Sequence, residues 1–143
     1  MKELYKENIL DHYSYPRNKG KLESPDILVK DSNPLCGDVV EFSISMDNGK
    51  VKEVMFDGKG CAISVAAASI LSDFIKGKKV GDVLNIDKDD LLKILGIDPS
   101  PTRLKCVLLP LEVVKVGMKM YKAQLSSTKK PKVRFVRENE DTH

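Results

Sequence analysis

Apolar residues spaced singly among charged ones open the chain. Leu4, Tyr5, Ile9, Leu10 and Tyr13 recur at helical intervals within residues 2–14, and Pro16, Asn18 and Gly20 close the run, which predicts an amphipathic helix. Residues 27–30 form a short apolar run that predicts a strand, stopped by Ser32, Asn33 and Pro34. Over residues 39–46 the period becomes two. Val40, Phe42, Ile44 and Met46 alternate with Glu41, Ser43 and Ser45, as in a half-buried strand. Asn48-Gly49 tolerates the positive φ angles of a tight hairpin turn, so residues 51–56 should return antiparallel.

Beyond Gly58 and Gly60 the period lengthens again. Ile63, Ala66, Ala67, Ile70, Leu71 and Phe74 share one helical face that ends near Gly77. Asp87 or Asp89 can cap a short helix carrying Leu91, Leu92, Ile94 and Leu95, with Gly96 as its stop. Residues 98–102, with two prolines, read as a stiff linker. A last helix is expected over residues 108–125 with Pro110 in its first turn, where a missing N–H is harmless. From Ser126 onward Ser, Thr, Lys and Pro dominate without an apolar period, and disorder is expected. The sum is an α+β fold: a three-stranded antiparallel sheet with about four helices packed against one face, one domain over residues 1–125 and a disordered tail over 126–143.

Composition narrows the function classes. A chain of 143 residues, 41% hydrophobic and 31% charged, has room for one core and resembles neither a disordered nor a membrane-embedded protein. The net charge is +3, and the segment from Lys129 to the end carries five cations against Glu138, Glu140 and Asp141. The body is therefore nearly neutral. With no Trp and no basic stripe beside aromatic residues, nucleic acid is not an expected partner. The most apolar stretch, residues 61–75, is interrupted by Ser64, Ser69, Ser72 and Asp73 and is too short to span a bilayer, and the first twenty residues lack the apolar core of a secretory signal. A cytoplasmic protein without membrane partners is the expectation. Three cysteines are too few for a disulfide scaffold, and in a reducing compartment they are free thiols or ligands.

The hairpin places two of those thiols. Cys36 enters the second strand and Cys61 follows the third, so two antiparallel strands of similar length bring both to one end of the sheet. Cys61 and Cys106 each stand where a loop is expected to give way to a helix, and helix N-termini favour anionic groups. Asp38, two residues after Cys36, can face the same pocket, which makes three thiolates and one carboxylate. A free cysteine is more often a small buried hydrophobe than a ligand. Cys36 and Cys61, beside glycines in loops, fit that description poorly, whereas Cys106, beside Val107 and Leu108, fits it best. No Cys-x-x-Cys pair is present, so neither a thioredoxin-like motif nor a zinc ribbon is expected. The residues alone point to a three-cysteine metal or sulfur site. His12 on the first helix reads as a packing residue and stays outside the ligand set.

Four ordered motifs, Asp11-His12-Tyr13 with Pro16-Arg17-Asn18, Asn33-Pro34-Leu35-Cys36-Gly37-Asp38, Gly58-Lys59-Gly60-Cys61-Ala62-Ile63-Ser64, and Arg103-Leu104-Lys105-Cys106, resemble the U-type iron-sulfur cluster assembly scaffolds, a family comprising IscU, SufU and the NifU N-terminal domain. The resemblance implies a scaffold without catalytic residues that receives persulfide sulfur from a cysteine desulfurase, assembles a transient 2Fe–2S cluster on Cys36, Cys61 and Cys106, and passes it to apo-proteins. It places Asp38 at the site. Where the IscU and NifU branches have histidine before the third cysteine, this chain has Lys105, which cannot ligate when protonated. Lys105 is instead placed beside the cofactor, where it and Arg103 could offset the negative charge of four anionic ligands. Arg103-Leu104-Lys105-Cys106 is closer to the SufU branch, yet the extra segment of that branch between the second and third cysteines is missing.

Two further readings stand beside the scaffold. In one, Zn2+ held by the same residues supports a sulfurtransferase that accepts persulfide sulfur. In the other, zinc is merely structural, although such sites are usually built from four cysteines or from cysteine and histidine together. A cluster-bridged homodimer is compatible with all of these residues.

Overall fold

The computed structural model describes residues 2–34 and 37–137, with side chains from residue 7 onward. The period-two run becomes strand β2 (Asp38–Asp47), which turns through Asn48 (φ 52°) and Gly49 (φ 78°) into β3 (Lys50–Lys59). The alternation predicts the buried face correctly: Val40, Phe42 and Ile44 are nearly or fully inaccessible. Phe42 lies opposite Phe56, their rings tilted at 6.2 Å between centroids, and burial of each such ring contributes about 2 kcal/mol. Ser43, on the other face, is buried as well, because the Leu22 N–H donates to its hydroxyl from a loop crossing that side.

Strand β1 (Ile27–Asn33) pairs antiparallel with β2, with Val29 opposite Phe42 and Asn33 opposite Asp38. The sheet departs from expectation at its other edge. A fourth strand, β4 (Val133–Val136), runs parallel to β1, so the order is β3-β2-β1-β4 and the sheet is mixed rather than wholly antiparallel. It comes from the segment expected to lack order. Val133 is buried, and its N–H donates to the Asp26 carbonyl at 2.8 Å. Four residues are too short a run to show a period, and the surrounding lysines obscured it.

Five helices complete the described residues: α1 (Lys2–Ser14), α2 (Ala62–Ile75), α3 (Val80–Leu84), α4 (Lys88–Leu95) and α5 (Pro101–Leu125). The one-turn α3 accounts for the excess over four. Asp87 caps α4 through a reciprocal box with Asp90, and Gly96 ends it in the left-handed region, as its sequence implies. The serines of α2 have a use the apolar run concealed. Fully buried Ser69 meets His12 Nδ1 at 2.8 Å and accepts the Arg17 N–H at 2.8 Å, while the Ser72 hydroxyl accepts from Asn18 Nδ2, fastening α1 and its following loop to α2.

The last helix begins earlier than expected. Ser100 is its N-cap and Pro101 its first residue, so Pro110 lies inside it and residues 101–102 are helical rather than linker. Ser100-Pro101 is the true start signal. Helix α5 packs on β1 through Gly117, where a Cβ would come within 2.6 Å of Ile27 Cγ2 and 2.9 Å of Val29 Cγ1. No described helix is long and apolar enough to cross a membrane.

Candidate metal centre

Antiparallel pairing sets Val39 opposite Lys59, so the start of β2 and the end of β3 meet at one end of the sheet. Gly58 permits the close pairing there: its φ is 149°, and a Cβ would lie 2.1 Å from the Val39 carbonyl oxygen. Two residues past β3, Cys61 is the N-cap of α2 in extended conformation, and its side chain makes no capping hydrogen bond. Helix α5 then delivers Cys106 from its second turn.

One carboxylate oxygen of Asp38 and the Sγ atoms of Cys61 and Cys106 lie within 4.8 Å of one another. Ligands on one tetrahedral ion with metal–sulfur bonds near 2.3 Å would stand about 3.8 Å apart, so a small closure suffices. Asp38 is 2% exposed and Cys106 6%, while Cys61 is half-buried. The group borders an open pocket of about 770 Å³ whose lining includes Gly37, Arg103 and Lys105.

The environment of Asp38 is the most informative feature. Its Oδ2 is buried and makes no hydrogen bond with any described residue. A buried carboxylate oxygen without a donor is costly unless a proton or a cation satisfies it, and here two thiol sulfurs stand beside it. An oxygen with two sulfurs suits zinc or iron and is too soft a set for calcium or magnesium. Gly60 makes room for this carboxylate: a Cβ there would approach Asp38 Oδ1 to 2.7 Å and the buried Ser64 Oγ to 3.1 Å. The sequence marks Gly60 only as a loop neighbour of Cys61, and that adjacency was the sole signal for this steric role.

Of the residues singled out by sequence, Asp38, Cys61 and Cys106 come together, and Lys105 and Arg103 line the same pocket with exposed side chains. Cys36 lies outside the described residues, and Gly37 next to it borders the pocket. Cys106 is not at a helix N-terminus as expected, since α5 opens at Pro101, so only Cys61 keeps that position. His12 is absent from the group and packs against Ser69. Burial, chiefly, and then the Arg17 guanidinium hold its pKa below the ordinary 6.5, against the opposing pull of Asp11 and Asp73.

Residues 4–128 match the family described as the NifU-like N terminal domain. Among curated proteins, the chain is 34% identical over 132 residues to the zinc-dependent sulfurtransferase SufU of Bacillus subtilis, covering 80% of this chain and 89% of that one. It is 36% identical over 119 residues to the iron-sulfur cluster assembly scaffold protein IscU of Aquifex aeolicus, covering 82% and 75%. The crystal structure of a NifU-like protein N-terminal region from Brucella abortus shares the fold with a TM-score of 0.70 at 22% identity, over 85% of this chain and 96% of that one. With the family matched over most of its length and with close relatives at this identity, the chain belongs to the NifU-like N-terminal domain family of iron-sulfur cluster assembly proteins.

Proposed function

We propose that this protein is a scaffold on which an iron-sulfur cluster is assembled and from which it is handed on. The observation that carries the reading is the convergence of Asp38, Cys61 and Cys106 on one pocket, with a buried carboxylate oxygen that has no described donor. In this reading Cys36 supplies the third thiolate and the cargo is a 2Fe–2S cluster. Its sulfur comes from a cysteine desulfurase, and apo-proteins receive the product. A carboxylate is a harder ligand than thiolate, so three cysteines with Asp38 hold the cluster less firmly than four cysteines would, which suits a donor. Lys105 and Arg103, exposed along the pocket, offset the charge of the anionic ligands.

A second reading is favoured by the SufU relative: zinc held by the same residues, with one thiolate exchanging off the metal to accept persulfide sulfur. Iron, zinc and acid-labile sulfide are to be measured on protein purified without oxygen, before and after supplying iron, sulfide and reductant. About two irons and two sulfides per site, lost on substitution of Cys36, Cys61 or Cys106, support the scaffold. About one zinc per chain that iron and sulfide do not displace overturns it in favour of the sulfur acceptor.

A further inference from the structure

The two edges of the sheet are finished differently. The outer side of β3 is bonded at two places: the Phe56 N–H donates to the Asn18 carbonyl, the Gly20 N–H to the Phe56 carbonyl, and Val51 exchanges bonds with Lys78 and Gly77, all between 2.8 and 2.9 Å. Nothing among the described residues pairs with the outer side of β4. Its inner side is satisfied. Val133 donates to Asp26 and Arg137 to Lys30, each at 2.8 Å, so in a parallel ladder the odd positions bond β1 and the N–H groups of Arg134 and Val136 point outward.

Chemistry distinguishes this edge as well. Residues 126–137 contain Lys129, Lys130, Lys132, Arg134 and Arg137 and no Asp or Glu. Arg137 reaches Asp31 at 3.7 Å and covers the Phe135 ring, but Lys129, Lys130, Lys132 and Arg134 are exposed and have no acidic partner among the described residues. The strand also lies past residue 128, where the family match ends. Arg134 on the edge strand, with Pro131 and Lys132 directly before it, disfavours pairing with another basic strand, a second β4 included. They do not repel an acidic one.

We propose that the outer edge of β4 docks an acidic, extended segment of a partner protein as a fifth strand. The outward backbone groups of Arg134 and Val136 supply the ladder, and the lysines select the charge. With β4 separated from β2 by one strand and ending three residues short of the level of Asp38, the docked segment lies about 15 Å from the pocket and leaves it open. The inference stands apart from which metal the pocket holds.

The test uses the full chain and a short synthetic peptide of alternating glutamate and valine, with hydrogen exchange followed residue by residue. The peptide is expected to slow exchange at the Arg134 and Val136 amides and to bind more weakly as salt is raised. Val136→Pro removes one outward N–H without touching the bonds to β1. It is expected to weaken binding about fivefold with an unchanged thermal midpoint. Replacing Lys129, Lys130 and Lys132 with glutamine is expected to weaken binding while leaving the ladder intact. The proposal is overturned by any of three results: no protection at Arg134 and Val136, equal binding of a peptide alternating lysine and valine, or Val136→Pro binding like the parent. It is equally overturned if a single-stranded oligothymidylate binds this edge in preference to the acidic peptide.

Discussion

Replacing Gly60 with alanine should separate ligand geometry from fold stability. The new Cβ would lie 2.7 Å from Asp38 Oδ1 and 2.9 Å from its Cγ, where ordinary contact is about 3.4 Å, so the carboxylate must move by roughly half an ångström or more. It can do so, because the clash is with the end of a side chain and the φ of Gly60 lies outside the left-handed region. A displacement of that size is enough to spoil a ligand, and losses in comparable supporting positions run about 10- to 100-fold in metal affinity, or about 1.4–2.7 kcal/mol. The metal-free fold should change by less than about 1 kcal/mol, since alanine also restricts the unfolded chain. Zinc affinity measured against a competing chelator, with urea unfolding of the metal-free protein, reads both quantities. Gly58→Ala is the contrasting control: its Cβ meets backbone at 2.1 Å and must cost stability instead. A folded Gly60→Ala protein that binds zinc like the parent would refute the assignment of Asp38 as a ligand.

Asp38→Ala should slow delivery of a reconstituted cluster to an apo-ferredoxin, because the hard ligand that favours release is gone; transfer kinetics check this, and an unchanged rate removes Asp38 from the release step. Gly117→Ala should destabilise by about 1–3 kcal/mol, read as a lower urea midpoint with unchanged slope, since its Cβ overlaps Ile27 and Val29 in a tight core. The pKa of His12 is lowered in the folded state, so the unfolded chain binds the extra proton first: stability is intact above 6.5 and declines as pH falls below that value toward the folded pKa. His12→Gln should flatten that decline in unfolding curves collected between neutral and mildly acidic pH.

How much of this was visible beforehand depends on the length scale of each signal. The hairpin, Asp87 cap and Gly96 stop were legible because their chemistry is local. Pro110 misled because a proline was assigned to a first turn, whereas a buried helix of 25 residues tolerates one in its interior when Ser100-Pro101 already starts it. Strand β4 was hidden because four residues owe their order to β1, which no local pattern reveals. At the site, Asp38 and Cys61 follow from strand pairing, but the approach of Cys106 depends on how α5 crosses the sheet, and the seat at Gly60 is a matter of tenths of an ångström. Neither is written in spacing.

The three groups of the candidate metal centre belong to segments far apart in the chain: the first residue of β2, the cap of α2 and the second turn of α5. An ion or cluster bound by them would act as a removable cross-link, joining the sheet to two helices. By mass action, cargo at a hundred times its dissociation constant adds about 2.7 kcal/mol to the stability of the loaded form. That is a substantial fraction of what holds a domain of this size together. The same linkage runs in reverse, so each hand-over returns the junction of β2, α2 and α5 to its looser, unbraced state, and a recipient takes up the cargo against that loss of cohesion.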